Sequence, residues 1–143
     1  MRFPLFIDLR GKKVVLIGCG RVGSRRAEAL LSFGAAVTVI DPASTPIEGT
    51  EHIAREYRAG DVAGSFLCIA ATDDREVNAR VAREAKELGV PISVADDPKS
   101  CDFYFPALCV SDELVAGVVS ANGDHKKVAA AAKKIRKVLE DPE

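Results

Sequence analysis

The segment Gly18-Cys-Gly-Arg-Val-Gly23 follows directly on the run Lys13-Val-Val-Leu-Ile17. That run is short, apolar and β-branched, the pattern of a strand buried on both faces of a parallel sheet. Residues 24–33 then read as a helix, with Ala27, Leu30 and Leu31 on one face, Arg25, Arg26 and Glu28 off it, and Gly34 as the stop. In such a strand–turn–helix, Gly18 permits the tight turn, Gly20 lets backbone approach a phosphate, and Gly23 lets the helix pack closely on the strand. The helix N-terminus adds free N–H groups and the positive end of a dipole. The next apolar run, Ala36-Val-Thr-Val-Ile40, closes on Asp41-Pro42. An acidic residue therefore ends the second strand, about 20 residues beyond the glycines. Together these features predict an α/β chain of the Rossmann type with a mostly parallel sheet and a dinucleotide site. Gly18, Cys19, Gly20, Arg21, Val22 and Gly23 are its phosphate loop, and Asp41 accepts hydrogen bonds from the adenine ribose. A carboxylate there repels a 2′-phosphate, which favours NAD over NADP.

The strand and helix signals keep alternating. Residues 53–57 read as a short third strand, 66–71 as a fourth and 91–95 as a fifth. Between the last two lies a helix over 73–88, with Thr72 or Asp73 as N-cap, Val77, Val81, Ala85 and Leu88 inward, and Gly89 at its end. In open parallel sheets ligands sit outside the carboxyl ends of the strands. Thr72 and Asp73, which follow the fourth strand, are thus expected near the nicotinamide end of the cofactor, beside any capping role. Asp96 ends the fifth strand and emerges at the same edge. It is either a turn residue or the base that takes a proton as a hydride leaves the substrate. Asp97, before Pro98, reads as a turn residue.

Beyond Asp96 the texture changes. A polar loop over 97–102 leads into the aromatic-rich stretch Phe103-Tyr-Phe-Pro-Ala-Leu-Cys-Val110, a strand over 113–120, and a helix opened by Asn122-Gly-Asp124. The helix face is Val128, Ala131, Ala132, Ile135, Val138 and Leu139, with Lys126, Lys127, Lys133, Lys134, Arg136 and Lys137 largely off it. Residues 1–100 read as the nucleotide-binding unit and 101–143 as an appended strand–helix element.

Composition removes other classes. The chain has 143 residues, one ordinary domain, of which 48% are apolar and 29% charged, which excludes a disordered, collagen-like or coiled-coil chain. Lys and Arg number 20 against 21 Asp and Glu, a net charge of −1, which speaks against nucleic acid or an anionic membrane as partner. No apolar run reaches the length of a membrane span, and the N-terminus lacks the pattern of a signal peptide. Cys19, Cys68, Cys101 and Cys109 show no zinc-ligand spacing, so neither a metal site nor disulfides are expected. The compartment these features suggest is the cytoplasm.

Several blocks in order carry a family resemblance: Pro4-Leu-Phe-Ile-Asp-Leu-Arg-Gly11, the glycine turn, Ile69-Ala-Ala-Thr-Asp-Asp74 with Val77-Asn78, Val94-Ala-Asp-Asp-Pro98, Cys101-Asp-Phe-Tyr-Phe-Pro106 and Val118-Val-Ser120. Across residues 3 to about 140 the chain resembles precorrin-2 dehydrogenase, also found as the N-terminal part of siroheme synthase. The resemblance implies NAD-dependent oxidation of precorrin-2 to sirohydrochlorin, with ferrous iron insertion in some members. It places the family's key aspartate on Asp96. It also implies a homodimer, with the segment after the Rossmann unit forming much of the interface. Such a polycarboxylate tetrapyrrole needs cations, for which Arg21, Arg25, Lys126 and Lys127 are the candidates, with Ser120 beside them. Phe103, Tyr104 and Phe105 either line the tetrapyrrole cleft or belong to the core or dimer interface. The chain departs from the family pattern at Cys19, where a further Gly is common, and at Asp124-His125-Lys126, where many relatives have Ser-Pro. Many relatives also continue into a helical region beyond the point of Glu143. These departures bear more on iron insertion than on dehydrogenation. Two other readings stay open: a non-catalytic NAD-binding regulatory module and a sirohydrochlorin carrier.

Overall fold

A computed structural model describes residues 1–43 and 45–140; Ser44 and residues 141–143, the end of the expected appendage, lie outside the described residues. The described residues fall into two compact units, Ile7–Phe103 and a second that joins Met1–Phe6 to the chain from Tyr104 onward.

In the first unit β1 (Lys13–Ile17), β2 (Ala36–Ile40), β3 (Glu51–Ile53), β4 (Leu67–Ala70) and β5 (Ile92–Val94) form one parallel sheet in the order β3-β2-β1-β4-β5. This is the Rossmann-type sheet expected from the alternating pattern. Val14 to Ile17 are at most 1% exposed, because β1 is central and covered on both faces. Helix α1 (Arg21–Ser32) buries Gly23, Ala27 and Leu30, and α2 (Arg75–Leu88) buries Asn78, Val81 and Ala85. Val15, Ile17, Cys68, Ala70 and Ile92 of the sheet join Val62, Val81, Ala85 and Val90 in one core cluster.

Four details differ from expectation. The third strand is Glu51–Ile53, not 53–57. After it the chain bends into a loop closed by Asp61, whose carboxylate takes both Arg55 guanidinium bonds at 2.8 Å and the Arg58 N–H at 2.7 Å. Helix α1 starts at Arg21, so Arg21, Val22 and Gly23 make its first turn. The N-cap of α2 is Asp74, which accepts from the N–H groups of Glu76 and Val77; neither Thr72 nor Asp73 caps it. Leu88 is 49% exposed. Gly89 turns left-handed at φ 69°, and the chain folds back so that Val90, at 8% exposure, fills the apolar position below the helix end.

The second unit is a hairpin of β6 (Ala107–Val110) and β7 (Val115–Val118), antiparallel, with α3 (His125–Glu140) packed on both strands. Only the second of these strands was expected, and over a longer span; β6 lies in the stretch read as merely aromatic-rich. Cys109 and Ala132 sit at the centre, 0% and 1% exposed, and the Cys109 thiol lies 3.4 Å from the Ala132 carbonyl. Arg136 caps the strand with two bonds to the Leu108 carbonyl. Val138, expected on the inner face, is 66% exposed: it stands one helical step of about 100° from Leu139, which does turn inward. The N-terminal segment joins this unit through Arg2, which stacks on Tyr104 at 3.6 Å and donates to the Ser120 carbonyl.

The assignment of the α2 cap can be checked by urea denaturation. Asp74→Ala is expected to lower stability by about 1 kcal/mol through loss of the cap. Asp73→Ala should stay within about 0.5 kcal/mol of the parent.

Candidate cofactor and proton-transfer site

The sheet register brings the functional segments to one edge. Ile17 pairs with both Ile40 and Ala70, and Ala70 pairs with Val94, so four strands end level. The ladder continues one step further: Gly18 donates to Ile40, Ala71 to Ile17 and Ala95 to Ala70, all at 2.8 to 2.9 Å. The residues that follow, Gly18 to Gly23, Asp41, Thr72 and Asp96, therefore meet where the strand order reverses around β1, the position at which such sheets hold ligands.

Two glycines are required by contact. Gly18 has φ +88°, and a Cβ there would stand 2.6 Å from the Thr72 nitrogen. A Cβ on Gly23 would stand 2.4 Å from the Gly18 carbonyl oxygen. Gly20 is different: no heavy atom lies within 4 Å of where its Cβ would be, so the outer side of the loop is open. Gly20 is also the N-cap of α1, where no side chain makes a capping bond and the first turn holds no acidic residue. The N–H groups of Arg21, Val22 and Gly23 thus have no competing side-chain anion, as an anion cradle requires. Asp41 joins this loop directly. Its carboxylate accepts from the Cys19 N–H at 2.5 Å and from the Ala43 N–H at 2.6 Å. A carboxylate has further acceptor capacity, so these bonds orient it without exhausting it. These residues fit a dinucleotide: an open glycine face, uncapped amides and an oriented carboxylate.

The other half of the edge is organised by Asn78. Its Oδ1 accepts from the Thr72 N–H at 3.1 Å and the Thr72 hydroxyl at 2.6 Å. Its Nδ2 donates to the Thr72 carbonyl and to Asp96 Oδ1, both at 3.1 Å. The other oxygen of Asp96 lies 3.5 Å from Nε of Arg75, whose side chain is 83% exposed. An open depression of about 190 Å³ lies here, lined by Arg75, Asn78, Val94, Asp96, Asp97 and Ser100 among others. Asp97 closes the short 3₁₀ turn Pro98–Ser100: the Ser100 hydroxyl, at 2.5 Å, holds its carboxyl below the usual carboxylate range, assisted by backbone N–H groups. Asp97 is thereby a turn residue, as its place before Pro98 suggests. Asp73 is exposed at the same edge.

The expected cations divide between the units. Arg21 and Arg25 are exposed on α1 of the first. Ser120, Lys126 and Lys127 belong to the second, at the approach to α3. There the Ser120 hydroxyl accepts from the Asn122 and Asp124 N–H groups, and Lys127 stands 3.8 Å from Asp124. Among the described residues no group of three His, Cys, Asp or Glu is placed to hold a metal ion, and no helix is long and apolar enough to cross a membrane. Arg75 and Asn78 are the site residues that the sequence reading passed over. The signal for Asn78 was present: it stands at helical spacing with Val81 and Ala85, a polar residue on the buried face.

Comparison with known proteins supports the resemblance read from the motifs. The family model described as "Putative NAD(P)-binding" matches residues 5–107. The chain is 46% identical over 146 aligned residues to the "Probable multifunctional siroheme biosynthesis protein HemA" of Ruminiclostridium josui, covering 96% of this chain and 28% of that protein. It is 41% identical to the siroheme synthase of Azotobacter vinelandii, covering 85% of this chain and 27% of that protein. The chain thus spans a little over a quarter of the length of these curated relatives. Among solved structures, "SirC, precorrin-2 dehydrogenase" superposes with a TM-score of 0.70 at 21% identity, covering 99% of this chain and 71% of that one, which establishes a shared fold. From the glycine loop, the open helix N-terminus and these matches, the chain belongs to the "Putative NAD(P)-binding" family.

Proposed function

We propose that the chain binds NAD and uses it to oxidise precorrin-2 to sirohydrochlorin. The observation that carries the reading is the joining of Asp96 to the Thr72 turn at the edge that also holds the glycine loop. The similarity to siroheme-synthesis proteins supplies the substrate class.

Bound NAD supplies the hydride acceptor. The chain's own residues do the rest. Gly18, Cys19, Gly20, Arg21, Val22 and Gly23 receive the pyrophosphate on open backbone, and Asp41 takes the adenine ribose hydroxyls. Asp41 also makes NAD the preferred form over NADP, by repulsion of a 2′-phosphate. Thr72 and Asp73 flank the nicotinamide end. Asp96 accepts the proton that precorrin-2 loses together with its hydride. For the carboxylates of the tetrapyrrole, Arg21 and Arg25 are the cations of the first unit, and Lys126 and Lys127, with Ser120, those of the second. The unit Ile7–Phe103 holds the cofactor and the base, and the unit of Met1–Phe6 with the chain from Tyr104 onward contributes to substrate binding and pairs two copies of the chain in the cytoplasm. The second unit supports that pairing through its exposed apolar side chains, among them Phe3, Phe6, Leu114 and Val115.

Three measurements test this reading. By titration calorimetry NAD should bind about tenfold more tightly than NADP, and Asp41→Ala should weaken NAD about tenfold and narrow the gap. Equal affinities in the parent chain would remove Asp41 as the selector. In an anaerobic assay, precorrin-2 and NAD should give the spectrum of sirohydrochlorin with one NADH per product, and Asp96→Asn should cut kcat about 100-fold. Tetrapyrrole binding without NAD reduction would make the chain a carrier instead, and a later addition of ferrous iron reads metal insertion separately. In sedimentation equilibrium the particle should have twice the 15.2 kDa chain mass; a monomer at micromolar concentration would contradict the pairing.

A further inference from the structure

We infer that Asn78 is a positioning residue of this site, whose buried amide locks the proton-accepting Asp96 to the Thr72 turn so that base and cofactor loop keep one geometry. The inference rests on the roles of Asp96 and Thr72 proposed above.

Asparagine is a poor choice for a helix interior, and burying its amide is costly unless every polar atom is bonded. Asn78 is 1% exposed in the first turns of α2, on the face it shares with Val81 and Ala85. Its side chain can accept two bonds and donate two, and all four are made. Three go to Thr72 and one to Asp96, so a single planar group reads the ends of β4 and β5 together. Its orientation is set by its partners: the Thr72 N–H can only donate and an ionised carboxylate can only accept, so Oδ1 and Nδ2 cannot exchange places. Arg75 is a weak alternative tether for Asp96, because an exposed pair at 3.5 Å contributes little. Packing alone does not call for this residue, since an apolar side chain would fill the same position without needing four partners. Asn78 acts through Asp96 and Thr72, to which all four of these bonds go. It leaves Asp96 Oδ2, the oxygen on the Arg75 side, as the one that takes the substrate proton.

The test uses Asn78→Asp and Asn78→Ala in the full chain, each alone and with Asp96→Asn. Asn78→Asp keeps the acceptor for the Thr72 N–H and hydroxyl, two of the three bonds to Thr72, but removes both Nδ2 donor bonds, to Asp96 and to the Thr72 carbonyl. Its NAD Kd and precorrin-2 KM should stay within about threefold of the parent while kcat falls at least about tenfold. Asn78→Ala should weaken NAD binding as well as kcat. With Asp96→Asn already present, neither change should lower kcat by more than about a further twofold, because groups acting as a unit are not additive. Thermal unfolding confirms that each variant is folded; should Asn78→Ala not fold, Asn78→Asp carries the test. Unchanged kcat in Asn78→Asp, or losses that simply multiply with Asp96→Asn, overturns the inference. Failure of the functional reading looks different. Full turnover by Asp96→Asn removes the base and with it the Asp96 half of the inference. A chain that binds NAD but never oxidises precorrin-2 loses the proposed reaction, and the NAD affinity of Asn78→Ala still decides the Thr72 half, an unchanged Kd overturning it.

Discussion

The end of β1 runs so close to the peptide joining Ala71 and Thr72 that position 18 has no room for a methyl group. One residue layer further out, the first turn of α1 presses on the Gly18 carbonyl at Gly23 with equal tightness. Three pieces of backbone, the ends of β4 and β1 and the start of α1, are thus stacked without side chains between them. That stacking places the N-terminus of α1 at the sheet edge, and in the loop that leads to it Cys19 bonds Asp41 while Gly18 packs on the Thr72 turn. A methyl at position 18 or 23 would have to shift backbone, not a flexible side chain, so the whole edge would move with it.

What was legible in the chain followed from how completely each segment is buried. β1 and β2 are covered on both faces, and continuous β-branched runs marked them to the residue. β3 is short and half-buried and shows neither an unbroken apolar run nor a clean alternation, so its limits differ from expectation, while the apolar run of β6, Ala107-Leu-Cys-Val110, merges into the aromatic stretch before it and does not stand out as a strand. The start of α1 was hidden for another reason: Gly23 lies inside the first turn although glycine is a poor helix former, because close packing on Gly18 outweighs propensity there. At Thr72-Asp73-Asp74 three good capping residues stand in a row, and propensity cannot choose among them. The choice is tertiary. Asn78 engages the Thr72 hydroxyl and backbone, and the cap passes to Asp74.

The candidate site divides along the same line. The places of Gly18, Gly20, Gly23 and Asp41 at one sheet edge were readable because they depend on local backbone and strand order, which spacing encodes. Asp96 was readable as a position, since it ends a strand, but spacing says nothing of what holds its carboxylate. That information sits in Asn78, eighteen residues earlier on another element. The helical period places Asn78 on the buried face, yet only the fold shows that the space beside it contains the Thr72 turn and Asp96.

The balance of forces on Asp96 explains why such a buried partner matters. An exposed guanidinium at 3.5 Å exchanges readily with water and ions, and salt screens it further. A carboxylate held only in that way would sample many directions. The bond from Asn78 is of another kind, because the amide is shielded from water and saturated by three further bonds to Thr72. Moving Asp96 Oδ1 away would leave a buried donor unpaired, which costs more than a typical surface contact returns. Asp96 is therefore fixed at one oxygen through the interior of the fold and held at the other only by the exposed Arg75 guanidinium, on the open side of the depression. The proton uptake proposed for Asp96 uses that asymmetry: a fixed direction, with the second oxygen held only by an exchangeable surface pair.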